Sequence, residues 1–342
     1  MKTILITGGA GFIGSNLTRY LYDKYPDYKL IVLDSLTYAG NAENFTREMK
    51  DDPRFSFWYG DVRNGDLVQE LVAKSDVVLH LAAESHVARS IFDNKIFFET
   101  DVLGTQVVAN AVLKNIRKVE RFIHFSSSEV YGTAARNPMD EDHPLNPMSP
   151  YAGAKAGADR LVYSYYHTYK IPAAIVRPFN NYGPNQHLEK AIPRFITSAI
   201  LGEPLTVHGL GESERDWVFV RDICEAMDIL SHCDFKKIEG ETINLGTGRS
   251  ISINSVAEMV LKLLNKPGHL IKRVGDRPGQ VKKHISSTQK ARELLGWEAR
   301  TTFEEGLKHT IEWYKGNKPW WEKLIWMKTI PIVATNGEVE YH

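Results

Sequence analysis

Cysteine is nearly absent from this 342-residue chain: only Cys224 and Cys233 occur, in a spacing that suits neither a metal site nor a disulfide framework. Charge of one sign is missing too, since Lys+Arg and Asp+Glu both number 42, so no global field points to nucleic acid or to an acidic membrane surface. No apolar run reads as long enough to span a bilayer, and no internal repeat or low-complexity tract occurs. His80, His86 and His143 fall in no ligand spacing and read as structural, so no metal is expected. Met1 to Thr7 lacks the pattern of a signal peptide, which makes a soluble cytoplasmic protein the expectation. The length suits two lobes, divided here as 1–178 and 179–342 with strand exchange between them.

What is present begins with Ile4-Leu5-Ile6, a short buried strand, followed by Gly8-x-x-Gly11-x-x-Gly14 and an amphipathic segment from Ser15 to Lys24. Strand, glycine turn and helix are the context of a dinucleotide site. The first two glycines permit a tight turn and close approach of a pyrophosphate to the helix N-terminus, and the third lets helix pack on strand. Phe12 and Ile13 belong to the same turn. The next strand, Leu30 to Leu33, ends in Asp34, placed to accept hydrogen bonds from ribose hydroxyls and to repel a 2′-phosphate, so NAD is expected rather than NADP. Strands and helices continue to alternate, which predicts an α/β doubly wound parallel sheet of the Rossmann type with a smaller C-terminal α/β lobe for the substrate. Asp61 and Val62 follow the Phe55–Tyr59 strand, with Asp61 placed to reach the adenine amine, and Ala82 and Ala83 close the Val77–Leu81 strand with side chains small enough for a cofactor to lie against the backbone.

Tyr151 and Lys155 stand four residues apart, one turn along one helix face. An ammonium beside a phenol favours phenolate, and such a tyrosine can take a proton from a sugar hydroxyl while a nicotinamide takes the hydride. Alone the pair reads more readily as a partly buried Tyr and a solvated Lys. Its company is the strand Val119 to Phe125 running into Ser126-Ser127-Ser128-Glu129, at the carboxyl end where such sheets bind ligands.

The glycine turn, the strand-end serines and Tyr151-x-x-x-Lys155 together resemble the extended short-chain dehydrogenase/reductase family. Asp34 to Asn41, His80 to Val87, Asn180-Asn181-Tyr182-Gly183-Pro184, Arg215-Asp216-Trp217 and Arg277-Pro278-Gly279 are similar to the nucleotide-sugar 4,6-dehydratase branch, and overall to dTDP-glucose 4,6-dehydratase. The resemblance implies an NAD-dependent lyase of deoxysugar biosynthesis, converting a nucleotide-diphosphate hexose to its 4-keto-6-deoxy product. It implies Tyr151, with its pKa lowered by Lys155, as base at the 4-hydroxyl, Ser127 as its hydrogen-bond partner and Glu129 as base at carbon 5. The acid usual on the departing hydroxyl is an Asp, replaced here by Ser128. The resemblance further implies that Ser85, Asn180, Lys190, His208, Arg215, Asn244 and Arg277 bind the sugar nucleotide, and that a homodimer forms through a four-helix bundle near residues 100–115 and 151–168.

Three departures from the dTDP-glucose pattern, Ala88 for Asp, His208 for Tyr and Gln280 for His, point to a changed nucleobase or hexose, such as a UDP-sugar. A UDP-glucuronate decarboxylase would share the carbon-4 oxidation but needs a cation facing the sugar carboxylate. A 4-epimerase would share Tyr151 and Lys155 without needing Glu129. A silent NAD-binding regulator is the non-enzymatic alternative. The aromatic stretch Pro319 to Trp326 is expected to pack on the body or a partner, and residues 335–340 to form a turn or hairpin.

Overall fold

The structure is a computed structural model that describes residues 2–275, 279–333 and 338–341. Five short segments rich in branched and aromatic residues form the first strands: β1 (Thr3–Thr7), β2 (Lys29–Asp34), β3 (Phe55–Tyr59), β4 (Val77–His80) and β5 (Arg121–Phe125), followed by β6 (Ala173–Pro178). The second half supplies β7 (Asn180–Tyr182), β8 (Leu205–His208), β9 (Glu214–Phe219), β10 (Thr242–Leu245), β11 (Ser250–Ser252), β12 (Ile271–Val274), β13 (Pro331–Val333) and β14 (Val339–Tyr341).

The main sheet has seven strands in the order β10-β6-β5-β4-β1-β2-β3, every neighbouring pair parallel. Because β4 is buried on both faces it opens on a continuous apolar run, Val77-Val78-Leu79, rather than an alternating one. One core lies on each face, around Ile4, Ile6, Val32 and Leu79 on one side and Leu5, Leu33, Val78 and Phe122 on the other. Strand order reverses between β1 and β4, which opens a crevice at their carboxyl ends.

A third core, around Phe195, Trp217, Val260 and Trp321, joins the helices Ala191–Leu201, Ile253–Leu263 and Phe303–Gly316 to the small sheets β11-β9-β7 and β12-β8. The chain crosses residue 178 repeatedly. β10 adds to the edge of the first sheet beside β6, and the helix Val220–His232 packs on Phe12–Lys24, with Tyr25 Oη donating to Asp228 at 2.8 Å.

The sequence expectation about apolar runs needs a correction, because Lys95–Lys114 forms one helix of 20 residues with mean hydropathy 1.2, long and apolar enough by length and composition to cross a membrane. Here it packs between the helices Gly65–Ala73 and Pro150–Tyr169 and carries a fully buried Asp101 at its middle. That middle, Phe98–Gly104, is wound as a π-helix, a geometry that frequently marks functional sites.

His80 bridges Thr7 (2.7 Å) and Thr105 (3.0 Å), and His143 accepts from the Ala135 amide at 3.0 Å. Among the described residues no group of His, Cys, Asp or Glu could hold a metal ion. The aromatic tail packs on the body: Trp321 is fully buried with Nε1 donating to the Tyr314 carbonyl at 2.7 Å, and Trp320 donates to Asn44 at 2.9 Å. β13 pairs antiparallel with β14, and residues 334–337 between them lie outside the described residues.

Candidate active site

A cleft of about 390 Å³ runs along the carboxyl ends of the main sheet and under the smaller lobe. Gly8, Gly11, Phe12, Ile13 and Gly14 form one end of its wall. Gly8 has φ of 70°, and a Cβ there would sit 2.6 Å from the Ala82 amide nitrogen, so β1 and the end of β4 approach as closely as backbone allows. At Gly14 a Cβ would lie 2.2 Å from the Gly8 carbonyl oxygen, where helix crosses turn. Gly11 caps the helix Phe12–Lys24 without a side chain, so no side-chain oxygen occupies the first-turn N–H groups that favour an anion.

Asp34, at the tip of β2, accepts from the Ala10 amide at 2.9 Å and the Leu36 amide at 2.8 Å. Burial raises its pKa and those amides oppose the rise. Asp61, Val62, Ala82 and Ala83 line the same stretch. Asp61 is held by Arg63 through Nε at 3.0 Å and a terminal nitrogen at 2.7 Å, which keeps its pKa low and fixes where its carboxylate points.

The catalytic candidates meet at the centre. Ser127, Ser128, Glu129, Tyr151 and Lys155 all line the cleft. Ser149 caps the helix Pro150–Tyr169 by accepting from Ala152, and Pro150 opens it, which presents Tyr151 in the first turn. Lys155 Nζ donates to the Phe125 carbonyl at 2.7 Å, tying that helix to the end of β5. Ser127 Oγ accepts from the Glu129 amide at 3.2 Å.

The expectation that Lys155 lowers the Tyr151 pKa is not met in this structure. Burial pushes the phenol well above its ordinary value; a hydrogen bond from Ser127 opposes this, while Asp101 and Glu129 add to it. Lys155 is itself lowered by burial, against the attraction of Asp101 and Asp159.

Ser126 points elsewhere: its hydroxyl donates to Asp159 at 2.7 Å, within a buried pair in which Arg177 donates to both Asp159 oxygens at 2.9 Å. Of the substrate candidates, Ser85, Asn180, Lys190, His208 and Arg215 line the cleft, as do Gln280 and Ala88. Asn244 does not. It is fully buried on β10, accepting from Tyr131 Oη at 2.7 Å and donating to the Met139 carbonyl at 3.1 Å, so its amide serves the fold. Arg277 lies outside the described residues.

Two residues that sequence reasoning missed stand against the catalytic group. Asp101 accepts from the Glu84 amide at 2.8 Å, its second oxygen is buried with no hydrogen-bond partner among the described residues, and burial raises its pKa to about 7. The available signal was an acid, two residues after Glu99, in a largely apolar helix. His284 lies 3.5 Å from Ser128 Oγ and 3.9 Å from Glu129 Oε1, and nothing local to it in sequence announces that contact.

The family model for GDP-mannose 4,6-dehydratase matches residues 5–310. The chain is 42% identical to the low-salt glycan biosynthesis protein Agl12 of Haloferax volcanii over 92% of this chain and 99% of that one. It is 40% identical, over 94% of its length, to 48% of the trifunctional UDP-glucose 4,6-dehydratase/UDP-4-keto-6-deoxy-D-glucose 3,5-epimerase/UDP-4-keto-L-rhamnose-reductase RHM1 of Arabidopsis thaliana. Among solved structures it superposes on DesIV, a dTDP-glucose 4,6-dehydratase from Streptomyces venezuelae with NAD bound, with a TM-score of 0.89 at 38% identity over 94% of this chain and 99% of that one. The chain therefore belongs to the GDP-mannose 4,6-dehydratase family, within the nucleotide-sugar branch of the extended short-chain dehydrogenases/reductases.

Proposed function

We propose that this protein is an NAD-dependent nucleotide-sugar 4,6-dehydratase acting on a dTDP- or UDP-hexose. The observation that carries the reading is Glu129: a carboxyl in the same cleft as Tyr151 and Lys155, held by Ser127 through its own amide. Oxidation at carbon 4 needs only the tyrosine, whereas removing a proton from carbon 5 needs a second base. The residues fit NAD, since Gly8 and Gly14 have no room for a Cβ, the helix N-terminus after Gly11 carries no side-chain cap, and Asp34 is tied to the same turn through the Ala10 amide. NAD, when bound, takes the hydride from carbon 4 and later returns it to carbon 6.

The chain's own groups do the rest. Tyr151 takes the 4-hydroxyl proton, and Ser127 steadies the oxygen charge that develops there. The carbon-4 ketone acidifies carbon 5. Glu129 removes that proton and delivers it to the carbon-6 oxygen, which leaves as water, so one carboxyl acts as base and then acid with Ser128 beside it. Arg215 and Lys190 supply cations for the diphosphate, and His208 and Gln280 stand where base and sugar are chosen.

The lobes divide the work. Residues up to 178 hold cofactor and chemistry, and those beyond it mainly hold the sugar nucleotide. A cytoplasmic homodimer is part of the same proposal, through a four-helix bundle of Lys95–Lys114 and Pro150–Tyr169, which expose Phe98, Leu103, Tyr163 and Tyr169. Leu103→Asp is expected to shift sedimentation to a monomer; an unchanged profile excludes this face.

The activity is tested by mass spectrometry of the protein with NAD and dTDP-, UDP-, GDP- and CDP-sugars. Loss of one water from a dTDP- or UDP-hexose supports the reading. Loss of carbon dioxide from UDP-glucuronate, or an isomer of unchanged mass, overturns it.

A further inference from the structure

His284 is fixed from both sides before any side chain is considered. Its amide donates to the Glu214 carbonyl at 3.0 Å, its neighbours Lys283 and Ile285 accept from the amides of Ala134 (3.2 Å) and Met139 (2.8 Å), and Phe179 meets its ring edge-on at 6.0 Å. The ring is fully buried, and its Nε2 lies 2.8 Å from the Gly132 carbonyl oxygen. A carbonyl only accepts, so Nε2 carries the hydrogen, and in the neutral ring Nδ1 is left as a lone pair. That lone pair faces the catalytic loop, 3.5 Å from Ser128 Oγ and 3.9 Å from Glu129 Oε1. Burial favours the neutral ring, against the attraction of Glu129.

We propose that His284 is a positioning residue for the elimination step, its Nδ1 holding the Ser128 hydroxyl proton and steadying the proton that Glu129 carries from carbon 5 to the carbon-6 oxygen. This rests on the dehydratase reading above. The step balances without a further reactant. Glu129 carboxylate takes the carbon-5 proton, and the C5–H electron pair becomes the C5–C6 double bond. The C6–O bond breaks with its pair on oxygen, which takes the proton back from Glu129 and leaves as water. Glu129 ends as it began, and His284 stays neutral throughout. With Ser128 Oγ–H committed to Nδ1, the serine turns its lone pairs to the protonated carboxyl and keeps that proton near the departing oxygen.

The experiment is single-turnover kinetics on the wild type and His284→Phe, His284→Asn and His284→Gln, with dTDP-glucose and UDP-glucose. NADH is followed optically and water loss by quenched-flow mass spectrometry. His284→Phe removes the acceptor, so water loss should slow about 10²-fold, the order expected when a reacting group is left misplaced. NADH from carbon-4 oxidation should then accumulate, because the first half-reaction is untouched. Asn can place its carbonyl oxygen where Nδ1 stands, whereas Gln reaches only towards Gly132, so Asn should retain more elimination than Gln even if the Phe variant does not fold. Unchanged water loss, a parallel fall of NADH formation and water loss, or the reverse order of Asn and Gln overturns the proposal. If the wild type removes no water from either substrate, the dehydratase reading fails first and takes the proposal with it, an outcome distinct from all three.

Discussion

Replacing Asp159 by Asn should unfold this protein more readily than any surface change, and the size of the effect follows from its partners. Asp159 is fully buried and Arg177 is 2% exposed; the two share a two-pronged pair at 2.9 Å on each side, with Ser126 donating to the same carboxylate at 2.7 Å. Arg160 also reaches Asp159, but it is 42% exposed, so water screens it and its share is small. Removing one partner leaves the Arg177 charge buried and uncompensated, which typically costs about 3–5 kcal/mol. The pair also joins the helix that carries Tyr151 and Lys155 to β6 and to the serine next to Ser127, so activity should fall before the chain unfolds. Burial alone would raise the Asp159 pKa, but the Arg177 hydrogen bond and charge hold it well below the ordinary value. A depressed carboxylate contributes stability above its unfolded pKa, about 3.9, and loses it as pH falls towards the native value. In urea titrations the gap between wild type and Asp159→Asn should therefore be constant around neutral pH and close below about pH 4. A companion cycle with Arg177→Met should show single losses that exceed the double by about 1–3 kcal/mol. A single loss under about 1 kcal/mol, or losses that simply add, would refute the reasoning.

Glu129→Gln should leave carbon-4 oxidation intact and slow water loss by about 10²–10⁴-fold; equal loss of both in stopped-flow NADH traces would place Glu129 outside the elimination. Gly14→Ala drives a Cβ to 2.2 Å from the Gly8 carbonyl oxygen, and because backbone cannot swing aside, NAD titration should show binding lost or weakened at least tenfold; wild-type affinity would mean that the turn relaxes freely. Asp101 has the opposite sign to Asp159. Its native pKa is raised by burial to about 7, so the stability it contributes is full below its unfolded pKa and is lost as pH rises through 7. Asp101→Asn should gain on the wild type in melting temperature between about pH 4 and pH 7 and hold that gain above it, and parallel melting curves across that range would show that Asp101 does not titrate there.

Features whose chemistry is set within a turn or two of chain were legible in the sequence. Gly14 must stand where it does because a Cβ there collides with the Gly8 backbone only six residues away, and Tyr151 with Lys155 share a face by helix geometry alone, whereas the close approach that demands Gly8 comes from Ala82 across the sheet. Asp34 was legible because the strand before it ends where β2 must end, at the crevice. The Asn244 reading failed for a different reason: the residue type suits a sugar nucleotide, but β10 joins the sheet edge and turns the amide inward to Tyr131 and Met139. The Tyr151 pKa failed because a lysine one turn away is visible in sequence while desolvation is not. Lys155 gives one ammonium N–H to the Phe125 carbonyl, a contact that exists only once β5 lies beneath the helix.

His284 marks the limit most sharply, since it stands 156 residues from Ser128 and reaches it through backbone hydrogen bonds to Glu214, Ala134 and Met139. The chain carries serine rather than Asp at 128, and a serine cannot protonate a leaving hydroxyl unaided at neutral pH. The burden then falls on Glu129, whose proton must stay close to the departing oxygen after it leaves carbon 5. A neutral imidazole with its donor tied to Gly132 and its lone pair turned to both residues is suited to that task, because it accepts without becoming a permanent charge in a buried place. On the proposal above, Ser128 and the histidine that reaches it from a distant segment act together, and the difference between His284→Asn and His284→Gln in water loss is the measurement that tests it.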